Sequence, residues 1–214
     1  SGPDSKDFLN RLSTLNFKKP FEGSLHGAFL NGQAKLISLF TVWNKADKNY
    51  FFIEKEMFQS TKNYLEKMHF AENLKIEPEK LFCIEVRGKN EDFLSEISVE
   101  AYNWGIPGKY FFDSGKFEVK SILEKNYDAI RAQFCFPKPL QDLTEDHILI
   151  EGPLDNFVDR NKGCYPGQEV IEKIYTYGRV ARKIKKITFS QVNEKDLVSL
   201  KKSLPLKIEA EGDK

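Results

Sequence analysis

The 214 residues carry 33 lysines and arginines against 32 aspartates and glutamates, so no global field recruits nucleic acid or an anionic membrane. Apolar residues make up 40% and charged residues 30%, the balance of a soluble globular chain long enough for one large or two small domains. No apolar run nears the ~18–20 residues of a membrane span and no basic-then-apolar leader opens the chain.

In chain order the pattern reads as α+β. Phe8, Leu9, Leu12 and Leu15 recur at helical spacing. Leu25 to Leu30 and Leu36 to Trp43 read as strands, and the polar run Asn44 to Asn49 turns the chain into a strand from Tyr50 to Ile53. Phe58, Thr61, Leu65 and Met68 mark a second helix, Leu81 to Val86 a strand, Lys109 to Phe112 another, and Lys116 to Val119 a short one. Leu123, Tyr127, Ile130 and Phe134 give a third helix, broken by Phe136-Pro137-Lys138-Pro139. Residues from Leu140 to Arg160 read as loop with a turn of helix near Asp142. Val170, Ile171, Ile174 and Tyr175 then predict a short helix ending near Gly178, followed by a basic strand from Val180 to Phe189. The last residues predict a helix over Glu194 to Ser203 and a strand over Leu206 to Ala210. Eighteen phenylalanines predict cores built from aromatic packing.

Residues from Gly2 to Ser13 are echoed by those from Gly88 to Ser98. Each copy has a glycine, a short polar turn fit to cap a helix, then Asp-Phe-Leu, an apolar residue and Ser. Both copies read as helix starts. Cys83, in an apolar strand, and Cys135, beside Phe134 and Phe136, read as core. Cys83, Cys135 and Cys164 are scattered and distant from His26, His69 and His147, which predicts no metal site. The same count fits a reducing compartment, cytoplasm or an organelle matrix.

The most informative segment is Lys162-Gly163-Cys164-Tyr165-Pro166-Gly167-Gln168-Glu169. A lone cysteine is most often a small buried hydrophobe, and a Gly-Pro-Gly loop is most often a turn. A turn alone does not call for the lysine, the cysteine and the Gln-Glu pair together. A nearby ammonium and a following helix would both favour thiolate at Cys164. Glu169 reads by default as an acid of that helix's first turn, and Glu172 likewise.

The octapeptide resembles the K-G-C-[FY]-x-G-Q-E signature of the YgfZ family, folate-binding proteins related to the glycine cleavage T-protein and linked to iron–sulfur cluster assembly. Supporting segments are Gly2, Asp4, Phe8, Leu9 and Leu12; the stretch from Phe29 to Lys35; Gly105-Ile106-Pro107; and Gly178, Arg179, Val180 and Arg182, with Tyr177 where the family has arginine. The resemblance spans residues 2 to 189. It implies two related ferredoxin-like halves around a central cavity, with residues 1–178 as the folate-binding region and 179–214 as a remnant of the family's C-terminal barrel, truncated or missing here. It also implies tetrahydrofolate or a derivative as ligand, a transient iron–sulfur cluster as a further candidate, and iron–sulfur apo-proteins or assembly factors as partners.

Lys162 and Cys164 are the central candidates. Tyr165, Gly167, Gln168 and Glu169 would shape the site, Arg179 and Arg182 flank it, and Trp43, Trp104 and Tyr102 supply a slot for the pterin. Cys164 fits a nucleophile, a redox thiolate or a transient iron ligand equally well. The T-protein's catalytic aspartate belongs to a G-x-I-x-D-D-type strand. Ser38 and Leu39 stand at the matching acidic pair, and neither can act as a carboxylate. Aminomethyl transfer is therefore disfavoured, while folate binding is not. The alternatives carried are a one-carbon transferase and a non-catalytic interaction module. The basic run from Arg179 to Lys186 reads as a protein-docking surface rather than an RNA contact.

Overall fold

Phe8, Leu9 and Leu12 line one buried stripe of α1 (Ser5–Leu12), and the helix stops where Ser13 turns extended and gives both its amide and its hydroxyl to the Leu9 carbonyl. Asp4 occupies the N-cap position, yet its carboxylate accepts the Asn73 amide instead of capping the helix. The computed structural model describes residues 1–46, 48–88, 95–115, 117, 124–178, 180 and 182–186.

After α1 come β1 (Ser24–Leu30), β2 (Leu36–Lys45) and β3 (Lys48–Phe52), an antiparallel sheet in the order β1-β2-β3. The β2–β3 turn is tighter than the sequence predicts. Asn44 pairs with Asn49 across the strands, their side-chain amides 3.0 Å apart, and Lys45 pairs with Lys48, so both strands run into the expected turn. Alternation then divides the sheet. Leu25, Phe29, Phe40 and Val42 face α1 and α2 (Lys55–Met68), whose buried stripe is Met57, Thr61 and Leu65. Phe29, Phe40 and Phe51 pack ring on ring there, centroids 4.6 to 5.8 Å apart, as the phenylalanine count predicts. Phe58 lies outside that stripe and is exposed.

The second sheet has the order β4-β6-β5, from β4 (Phe82–Arg87), β5 (Ile97–Glu100) and β6 (Gly108–Asp113), all antiparallel. Phe52 stacks on Phe112 with centroids 3.9 Å apart, and the Ser24 hydroxyl donates to the Glu100 carbonyl, joining the two sheets. Cys83 is exposed rather than core, because β4 is an edge strand whose first residues are uncovered. Cys135 is half-buried in a left-handed turn (φ 57°) just past α3 (Glu124–Gln133).

Gly2 and Gly88 share a left-handed backbone, and in the described part of the second repeat Ile97, the counterpart of Leu12, begins β5. The repeat's Asp92-Phe93-Leu94, the strand expected over 116–119 and both elements expected beyond 190 lie outside the described residues.

Between Leu140 and Arg160 the helical turns fall at Leu149–Glu151 and Asp155–Phe157 rather than near Asp142, where the chain makes a single turn onto the Lys138 carbonyl. Residues 182–186 form no strand. Among the described residues they have no ladder partner and are held by Arg182 on Glu151 and the Asp146 carbonyl, by the Ile184 amide on the Glu151 carbonyl and by the Lys186 ammonium on the Gln133 carbonyl. Among the described residues no helix is long and apolar enough to cross a membrane.

Candidate functional site

The signature loop is built onto the segment that follows α1. Thr14 accepts the Ala28 amide at its hydroxyl, donates to the Phe157 carbonyl at 2.6 Å, and takes the Asp159 amide on its own carbonyl. The Asn16 side chain reaches the Asn161 carbonyl. Lys162 then inserts its ammonium among three carbonyls, those of Asn10 (2.6 Å), Ser13 and Leu15 (2.8 Å). These close the C-terminal end of α1, where a cation is favoured. Burial pushes the Lys162 ammonium down to about 8, opposed by the Asp159 carboxylate. All three of its protons are matched to acceptors, so none is left for the Cys164 sulfur.

Cys164 is exposed and opens onto a cleft of about 450 Å³ lined by Asp4, Asp7, Asn10, Arg11, Lys18 and Glu72. Its charges are already paired, Arg11 with Glu72 and Lys18 with Asp7 at 3.0 Å. The Phe70 amide and its neighbours hold the Glu72 carboxyl below the usual range. The next residue goes the other way. Tyr165 is buried in the second core, with Leu30, Leu36 and Ile171, and its ring lies 5.0 Å from the Lys162 nitrogen. Burial raises its phenol well above the ordinary value, and the hydroxyl has no hydrogen-bond partner among the described residues.

Gly167 (φ 82°) is the N-cap of α4 (Gln168–Tyr177) and sits against the β1–β2 turn, where a Cβ would lie 2.5 Å from the Ala34 Cα and 2.8 Å from the Asn31 oxygen. Glu169 falls in the first turn as the sequence predicts, exposed. Glu172 lies deeper in the helix, in a two-pronged pair with Arg160 at 2.8 and 3.2 Å. Gln168 uses its amide on the Tyr165 carbonyl.

The aromatic candidates lie elsewhere. Trp43 is near the end of β2 against Tyr50, with the Lys45 ammonium 5.3 Å from its ring. Trp104 follows β5 and belongs to a chain of rings. It stacks on Phe136 at 5.7 Å; Phe136 meets Tyr102 at 5.6 Å; Tyr102 meets His26 at 5.3 Å. The Arg87 guanidinium covers the far face of this chain, 4.6 Å from Trp104, and is itself fixed by Glu85 and by the carbonyls of Tyr102 and Ile106. Trp104 is buried, and its indole N–H has no partner among the described residues. No ring contact among the described residues links Trp43 to this wall, and Cys164 lies across the sheet from it, on the α1 side.

Arg182 binds Glu151 through two nitrogens at 3.2 Å and donates to the Asp146 carbonyl. Glu151 is 3% exposed, so Arg182 compensates a buried carboxylate. Arg179 lies outside the described residues. No group of three His, Cys, Asp or Glu side chains forms a metal site among the described residues.

Sequence reasoning missed His26 and Glu151. Both are polar residues inside apolar strand or loop runs, a weak signal on its own. Their partners, Thr41 and Arg182, are 15 and 31 residues away. Ser38 and Leu39 point to opposite faces of β2, Ser38 opposite Phe29 with its hydroxyl unpartnered, Leu39 into the second core.

Comparison with known proteins places this geometry. No family model matches the chain. It is 22% identical over 234 residues to a chloroplastic Arabidopsis thaliana protein named as a "putative transferase", an alignment covering 91% of this chain and 54% of the relative. Its structure is similar to that of glycine cleavage system aminomethyltransferase T from Bartonella henselae, with a TM-score of 0.69 at 15% identity over 82% of this chain and 59% of that one. The fold is thus mixed α/β with small antiparallel sheets, of the aminomethyltransferase T kind. The chain spans little more than half the length of either protein.

Proposed function

We propose that this chain binds tetrahydrofolate without transferring an aminomethyl group, and that it serves the assembly or repair of iron–sulfur proteins in the manner of the YgfZ family. The observation that carries the first part is the pair Ser38 and Leu39. On a fold similar to that of an aminomethyltransferase, the positions that the resemblance assigns to a catalytic acidic pair hold a hydroxyl and an alkyl side chain. What remains suits binding. A stacked wall of Tyr102 and Phe136, backed by the buried Trp104, suits a flat heterocycle. The iron–sulfur part rests on the octapeptide and on Cys164, which the loop holds open to solvent where a metal or a client thiol can reach it. Cytoplasm or an organelle matrix would suit that role.

The test is an anaerobic titration with tetrahydrofolate, run beside an assay for methylene-tetrahydrofolate formation. Saturable binding with no turnover supports the reading. Turnover would restore the transferase alternative, and absence of binding would leave an interaction module built around Cys164.

A further inference from the structure

We propose that His26 is the residue that reads the edge of the bound heterocycle, donating a hydrogen bond from its Nε2 to an acceptor on the ring. The inference rests on the folate reading above.

His26 projects from β1 beside Thr41 of β2, its partner in the ladder, on the sheet face away from α1 and α2. Its ring meets Tyr102 edge-on at 5.3 Å and Phe157 at 6.1 Å, which makes it one end of the ring wall. Nδ1 lies 3.0 Å from the Thr41 hydroxyl, and Nε2 makes no hydrogen bond among the described residues. In the proposed arrangement the buried Thr41 hydroxyl donates its proton to Nδ1, which puts the imidazole proton on Nε2. Burial and the nearby Arg87 charge push His26 down to about 4, which keeps the ring neutral near pH 7.

Among the described residues the wall ends in two N–H donors without acceptors, His26 Nε2 and the buried Trp104 Nε1, and its cation, Arg87, is already engaged. His26, Tyr102 and Phe136 are half-buried, so part of the wall meets solvent at the His26 end. A site with donors, stacking faces and no free charge selects a neutral, flat ring that carries carbonyl oxygen or ring-nitrogen acceptors. A pterin has such an edge.

The experiment is anaerobic calorimetry with tetrahydrofolate on the wild-type chain and on His26→Gln and His26→Phe, with the imidazole nitrogen signals of the wild type followed by NMR. His26→Phe keeps the stacking and loses the donor, and should weaken binding about tenfold, the worth of one buried hydrogen bond. His26→Gln retains an N–H and should lose less. In the wild type the Nε2 signal should shift on binding while Nδ1 stays in place. Should His26→Phe fail to fold, the Gln variant and the NMR readout decide alone. Wild-type binding with an unmoved Nε2 signal, or with a Phe variant of equal affinity, would overturn the role of His26 and leave the folate reading standing. No wild-type binding would overturn both.

Discussion

Gly167→Ala isolates the contact that seats the signature helix. The residue is left-handed, and a Cβ there would stand 2.5 Å from the Ala34 Cα, 2.7 Å from its nitrogen and 2.8 Å from the Asn31 oxygen. All three are backbone atoms of a tight turn, held by the Ala34 amide on the Asn31 carbonyl at 2.9 Å. Gly178, at the other end of α4, is equally left-handed (φ 67°) and has nothing within 4 Å of its would-be Cβ. The pair separates strain from collision. Gly178→Ala should cost about 1–2 kcal/mol for the left-handed backbone alone. Gly167→Ala bears the same strain plus about 1–3 kcal/mol of forced overlap, for a total of about 2–5 kcal/mol. In a domain of this size each kcal/mol lowers the melting temperature by about 2–4 °C, so the Gly167 variant should melt at least several degrees below the Gly178 variant. Thermal melts and urea unfolding followed by circular dichroism would show it. Equal costs at the two ends would refute the claim that α4 is seated on the β1–β2 turn.

Three further outcomes are expected. Lys162→Met should cost about 2–4 kcal/mol in urea unfolding, because three carbonyls at the end of α1 lose a charged donor; a cost near zero would show that the ammonium does not hold the loop. His26 is lowered from 6.5 to about 4, so the unfolded chain takes up a proton there that the folded chain refuses. Stability from this group is full above pH 6.5 and falls by about 3 kcal/mol as pH drops to 4, and His26→Gln, compared across that window, should lack this part of the acid limb. In timed alkylation near neutral pH read by mass spectrometry, Cys164 should react first. Cys83 is exposed as well, but desolvation and the Glu85 carboxylate hold its thiol above the ordinary range; equal rates at Cys83 would contradict this.

Elements with strong periodicity were legible in the sequence. The stripe of α1, the alternation of β1 and β2, and α4 with its glycine stop fall where spacing puts them. The β2–β3 turn was misplaced because Asn44 and Asn49 look like loop residues and are in fact a cross-strand pair. Of the basic strand expected at 180–189, the described residues 182–186 are not in a ladder, and Cys83 lies in an apolar run that the topology puts at an edge.

The site was legible in its residues and not in its connections. Lys162 stands out in the octapeptide, but its three acceptors are backbone carbonyls, which leave no mark in a sequence. His26 becomes meaningful only once the register sets Thr41 beside it and the second sheet delivers Tyr102.

Folate bound on the ring wall ending in Trp104 is tested by tetrahydrofolate titration of Trp43→Phe and Trp104→Phe, each with one tryptophan left as reporter. Saturable quenching should persist in Trp43→Phe, and Trp104→Phe should lose both the quenching and much of the affinity. Quenching carried by Trp43, with affinity unchanged in Trp104→Phe, would contradict it.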